Sequence, residues 1–98
     1  MFYGKQAGSK ELATILQNEN RTSLQPTNKR EIKEGNGIYI LENSVLPIVL
    51  IECGFISNHD ELIKLKDESY VNNLSSVIYE GVCKYLNSLS WKKQFFML

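Results

Sequence analysis

Apolar positions along the chain change period several times, and each change marks an element. Leu12, Ala13, Ile15 and Leu16 follow the three-and-four spacing of an amphipathic helix, with Gly8-Ser9 just ahead of them. The spacing predicts a first helix near residues 9–19, with Ser9 as its N-cap. From Asn20 to Gly37 no period is sustained, and Pro26, Asn28, Gly35, Asn36 and Gly37 punctuate a long loop of the kind that is often functional. Ile38-Tyr39-Ile40-Leu41 is a β-rich run and reads as a strand ended by the turn Glu42-Asn43-Ser44. Pro47 then leads Ile48-Val49-Leu50-Ile51, an apolar run without alternation. Such a run is expected of a strand buried on both faces, here the central strand.

Beyond it, Asn58 and Glu61 have the spacing of a capping pair, and Leu62, Ile63 and Leu65 read as the inward side of a short helix. A longer helix is predicted from about Glu68 to Leu89. Val71, Leu74, Ile78, Val82 and Tyr85 form its core stripe, with Asn72, Asn73, Ser76, Glu80, Lys84 and Asn87 on the wet face. After a Ser-rich break, residues 90–98 read as a loose tail. The result is an α/β chain: a partial mixed sheet of two to three strands with three helices over 1–89, then the tail.

Composition narrows the function. With 11 basic and 11 acidic residues in 98, the formal net charge is zero, so the footprint of a protein held by nucleic-acid phosphates is missing. The hydrophobic fraction of 43% exceeds that of disordered chains. The longest apolar stretch, Val45 to Ile51, is far shorter than the roughly 18 residues of a membrane span. The opening MFYGKQAGSK has no signal-peptide pattern, so an export signal is expected on a longer parent chain or not at all. Cys53 and Cys83 form neither a CxxC nor a Cys/His cluster and read as two free, buried thiols.

Chemistry concentrates where the apolar run ends, in Glu52-Cys53-Gly54-Phe55. Carboxyl ends of strands are where open α/β sheets gather their active sites. Burial there would raise the pKa of Glu52 and suit it to take and return a proton. The alternative is a surface or ion-paired glutamate. Cys53 has no histidine nearby in sequence to activate it, and Tyr39 and Phe55 read as core.

The string PIVLIECGFISN, with Gly37-Ile38-Tyr39-Ile40-Leu41 before it and the Tyr70–Leu86 stretch after it, resembles the C-terminal half of the zinc-dependent N-acetylmuramoyl-L-alanine amidases. The resemblance runs from about Phe2 to Leu86 and keeps the order of parts throughout. Within the family it is greatest to members that act on spore-cortex peptidoglycan in endospore-forming bacteria. It implies a mixed sheet flanked by helices, an amidase-type phosphorylase/hydrolase-like fold, and one zinc held by two histidines and a glutamate. It also implies that the metal-bound water attacks the amide joining N-acetylmuramic acid to L-alanine. The family's catalytic glutamate falls on Glu52, general base toward that water and then general acid toward the leaving amine.

The family's zinc ligands match no residue of this sequence, since they precede the strand matched by Phe2-Tyr3. His59 falls at a position that is not a ligand in the family and reads as an exposed first-turn residue. His59-Asp60-Glu61 are sequence neighbours that cannot converge on one ion, so no zinc site is expected within the chain alone. Arg30 and Lys33 match basic loop positions of the family and imply contact with the anionic stem peptide or glycan, against the alternative of solvated loop charges. Peptidoglycan is the implied partner, together with a missing N-terminal half or an activating protein, and the implied location is extracytoplasmic, in the cell wall or spore cortex.

Two further readings stay open at this point. One is an inactive remnant whose unpaired sheet edge and apolar surface act as an interaction module. The other is a small α/β domain unrelated to peptidoglycan. A chain of this size is marginal if part of its sheet is missing.

Overall fold

A computed structural model describes residues 1–97, with side-chain surroundings described to Leu89. Three two-residue strands form a mixed sheet around β1 (Phe2–Tyr3). β2 (Lys33–Glu34) lies parallel to it, pairing Phe2 with Lys33, and β3 (Val49–Leu50) lies antiparallel, pairing Phe2 with Leu50. The ladder continues past the strands, with Gly35 N–H donating to the Tyr3 carbonyl at 2.9 Å and Gly4 N–H to the Ile48 carbonyl at 3.0 Å. The mixed sheet matches expectation, but the Pro-led run is not its centre. β1 is central and β3 has one strand neighbour, so Leu50 stays 39% exposed. Continuous apolarity predicts cover on both faces, and the described residues cover only part of it.

Four helices accompany the sheet: α1 (Ser9–Ser23), α2 (Tyr39–Asn43), α3 (His59–Lys66) and α4 (Glu68–Met97). The cap of α1 lies one residue earlier than predicted: Ser9 is already helical and Gly8 is the N-cap, with φ 94°. At that φ a side chain is strained, and a Cβ on Gly8 would also meet the Tyr85 hydroxyl and, at 3.1 Å, Pro47. Ser9 is fully buried and its Oγ accepts the Ile48 N–H at 2.9 Å, tying α1 to β3. A side chain predicted to satisfy its own helix satisfies a strand instead.

The run Ile38–Leu41, predicted as a strand, turns into α2 instead, with Ile38 as its extended N-cap and Tyr39–Leu41 helical. Leu41 N–H and Glu42 N–H both donate to the Ile38 carbonyl, and Asn43 Nδ2 donates to the Tyr39 carbonyl at 2.9 Å. The turn inserts Leu41, 1% exposed, into the core, a burial contributing about 1.5–3 kcal/mol. Tyr39 and Ile40 point outward at 79% and 60% exposure, so Tyr39 is not core. Local β propensity yields here to one deeply buried leucine. Glu42 closes the turn by accepting Gly37 N–H at 2.8 Å. That bond first, and Lys5 second, hold its carboxyl below the usual glutamate range.

α4 carries the expected wet face, but its core stripe is rotated. Val77, Gly81 and Tyr85 are buried, Leu74 and Ile78 half-buried, and Val71 and Val82 lie on the exposed margin. Gly81 explains the rotation. A Cβ there would meet Leu16 Cδ2 at 2.6 Å, so the absence of a side chain lets α1 pack closely on α4 at this glycine. The core is Ala13, Leu16, Leu41, Val77 and Tyr85. α4 keeps a helical backbone through the Ser-rich stretch to Met97, whereas the surroundings of the tail side chains, 90–98, lie outside the described residues.

α3 is capped as its sequence predicts, Glu61 N–H donating to Asn58 Oδ1 at 3.2 Å. It has no fully buried residue. Leu62 and Leu65 are half-buried, while Ile63, predicted inward, is exposed. Cys53 is exposed and Cys83 half-buried, both free, which corrects the expectation of two buried thiols. Among the described residues no helix is long and apolar enough to cross a membrane.

Candidate active site

The loop after α1 folds back along that helix and is pinned by polar side chains. Gln17 Nε2 donates to the Arg30 carbonyl at 2.6 Å, and Arg21 donates from Nε to the Asn28 carbonyl at 2.9 Å and from Nη2 to the Arg30 carbonyl. Asn28 Nδ2 donates to Gln25 Oε1 at 2.8 Å, and Gln25 reaches the Tyr70 hydroxyl on α4. These bonds make a polar wall. The opposite wall is the chain leaving β3, from Ile51 to Gly54, resting on α3, where a Cβ on Gly54 would meet Leu65 Cδ1 at 3.2 Å. Between them lies a cleft of about 310 Å³, floored by Leu16, Leu74 and Val77.

Glu52 and Arg30 both line this cleft, so two of the three residues singled out in the sequence meet in one place. Lys33 does not line it; it is exposed on β2. Glu52 sits two residues beyond β3, as the motif placed it, but it is exposed. The desolvating surroundings expected of it are not supplied by the described residues. Cys53 also lines the cleft, with no histidine in the lining. His59 is the exposed first residue of α3.

Phe55 is exposed rather than core, and the Arg30 guanidinium lies over its ring, 5.4 Å from the centroid. Glu61 joins both walls: Oε2 accepts Phe55 N–H at 2.9 Å, and Oε1 stands 3.7 Å from Arg30 Nη2. The sequence showed Glu61 as half of a capping pair, but not its contact with Arg30. The one sequence signal for the polar wall is the i, i+4 pair Gln17 and Arg21, polar side chains on one face of α1.

Among the described residues no group of three or more His, Cys, Asp or Glu side chains is placed to hold a metal ion. The donors in the cleft are Glu52, Cys53 and Glu61. They lack the two histidines of the implied zinc site and do not converge, so these residues do not fit that metal.

Residues 1–84 match the model of a family described as N-acetylmuramoyl-L-alanine amidase. The germination-specific N-acetylmuramoyl-L-alanine amidase of Bacillus subtilis is 38% identical over 84 residues, covering 86% of this chain and 35% of that protein. The N-acetylmuramoyl-L-alanine amidase LytC of the same organism is 33% identical over 79 residues, covering 81% and 16%. The CwlD amidase of Clostridioides difficile, solved in complex with the GerS lipoprotein, superposes with a TM-score of 0.83 at 43% identity, over 89% of this chain and 45% of that one. The chain therefore spans less than half the length of each of these relatives. With the fold, the order of parts and the family match in agreement, this chain belongs to the N-acetylmuramoyl-L-alanine amidase family.

Proposed function

We propose that the chain is the C-terminal part of a cell-wall or spore-cortex amidase that hydrolyses the amide between N-acetylmuramic acid and L-alanine. The observation that carries this reading is the placement of Glu52, in the string Glu52-Cys53-Gly54-Phe55-Ile56-Ser57-Asn58, on the same cleft as Arg30. Glu52 takes a proton from the attacking water and returns it to the amide nitrogen as the carbon–nitrogen bond breaks, so the carboxylate is regenerated at each turnover. Arg30 contacts an anionic part of the stem peptide. Zinc and its ligands belong, in this reading, to residues outside these 98, as does the cover that would desolvate Glu52. The substrate is extracytoplasmic, and a protein partner is part of the proposal, supported by the lipoprotein bound to the similar CwlD amidase.

The test combines the chain with a separately expressed N-terminal half from the family and measures zinc content and release of stem peptide from peptidoglycan. Activity and zinc are expected in the mixture, with Glu52→Gln lowering the rate by about 10²- to 10⁴-fold. An unchanged rate would make Glu52 a strand-end charge. A second reading, a non-catalytic interaction module, is favoured by the exposed apolar residues Tyr39, Ile40, Val45 and Leu46. It would gain if folded protein in the mixture bound no zinc and released nothing.

A further inference from the structure

Arg21 and Arg30 flank the same loop and use their side chains differently. Arg21 is engaged by the carbonyls of Asn28 and Arg30 and by Glu31, 3.7 Å away. Arg30 is held by its backbone instead: its carbonyl accepts from the buried Gln17 and from Arg21, and its N–H donates to Asn28 Oδ1 at 2.9 Å. Among the described residues its guanidinium makes no hydrogen bond. It lies over Phe55 and stands 3.7 Å from Glu61 Oε1.

A charge-assisted bond of this kind closes to about 2.7–2.9 Å. At 3.7 Å the pair is a charge contact that leaves the fork of N–H donors open. An arginine with an anchored backbone, stacked on an aromatic ring and with unused donors at a cleft is preorganised for a planar anion. A carboxylate is the anion it already faces. The chain's formal net charge is zero, so no general field does this work for it.

We propose that Arg30 recognises a free carboxylate of the peptide part of the substrate and that Glu61 is its internal competitor, making the two a specificity-determining pair. The incoming carboxylate takes two N–H donors of Arg30 and displaces Glu61 Oε1, while Glu61 Oε2 keeps the Phe55 N–H and so holds the segment after Glu52 in place. The proposal rests on the reading of the cleft as the substrate cleft.

Its test is titration of the full 98-residue chain with an N-acetylmuramoyl dipeptide ending in a carboxylate and with the C-terminal amide of the same compound. The wild type is expected to prefer the acid. Glu61→Gln, which keeps an oxygen for Phe55 N–H and removes the charge, should tighten the acid by about two- to fivefold and leave the amide unchanged. Arg30→Gln should abolish the preference. Hydrogen exchange at the Phe55 amide, slow in wild type and Glu61→Gln but fast in Glu61→Ala, reports that the loop is intact. Equal binding of acid and amide by the wild type, or an unchanged acid affinity in Glu61→Gln with Phe55 still protected, would overturn the proposal and leave the amidase reading standing. Failure of both compounds to bind would overturn both.

Discussion

Two regions of the molecule are built on different terms. Where α1 meets α4, Ser9, Ala13, Leu16, Val77, Gly81 and Tyr85 are buried and the helices touch at a glycine. From Glu52 to Asp60, by contrast, every residue except Gly54 is exposed, and α3 has no buried side chain. The first region is held by packing; the second is held by directional bonds from Asn58 and Glu61. The difference teaches that the candidate chemistry sits on the part of the chain with the least apolar burial, as binding segments commonly do.

The sharpest way to break this contrast is Leu16→Ala. Leu16 is 3% exposed against Gly81, and its truncation should cost about 2–5 kcal/mol in urea unfolding. A loss no greater than that of a surface substitution would mean that the α1–α4 contact is not the stabilising one. Asn58→Ala probes the other region: removing the cap of α3 should cost about 1 kcal/mol and speed exchange at the Glu61 amide. A loss as large as that of Leu16→Ala would show the open region to be as tightly coupled as the core.

A smaller effect is expected from the ion pair on the rim of the packed region, where Lys84 Nζ lies 2.5 Å from Glu19 Oε2. The hydrogen bond to Glu19 raises the pKa of Lys84. A raised pKa in the folded state stabilises fully below the ordinary lysine value, and the contribution is lost as pH rises through the raised value. Wild type and Lys84→Met should therefore differ slightly near neutral pH and converge in strong alkali, with salt narrowing the gap. Thermal melts across that range check it. Smallest of all is Ile56→Ser: at 75% exposure its loss should move stability by no more than about 0.5 kcal/mol. A larger change would reveal apolar contacts in the open region.

Much of this arrangement was legible because it is local. The apolar spacing of α1, the Asn58–Glu61 pair and the wet face of α4 each depend on residues within a turn or two of one another, and the structure reproduces them. Glu52 was legible for another reason, since a motif at a strand end carries its position with it. Its exposure was not, because burial depends on what packs over a residue. Arg30 was singled out by resemblance, but its neighbour Glu61 was hidden behind a local role that it also fulfils.

The sequence by itself determined the order of the parts, the α/β class, the family and the cap of α3, since periodicity, capping and motif are all written in neighbouring residues. The tertiary structure alone decided that Tyr39–Asn43 coils, because Leu41 gains more by entering the core than the run gains by extending. It also decided that β1, rather than the apolar β3, takes the middle of the sheet. And it brought Arg30 to Glu61 across a cleft, since a contact between residues far apart in sequence exists only once the elements that carry them have packed.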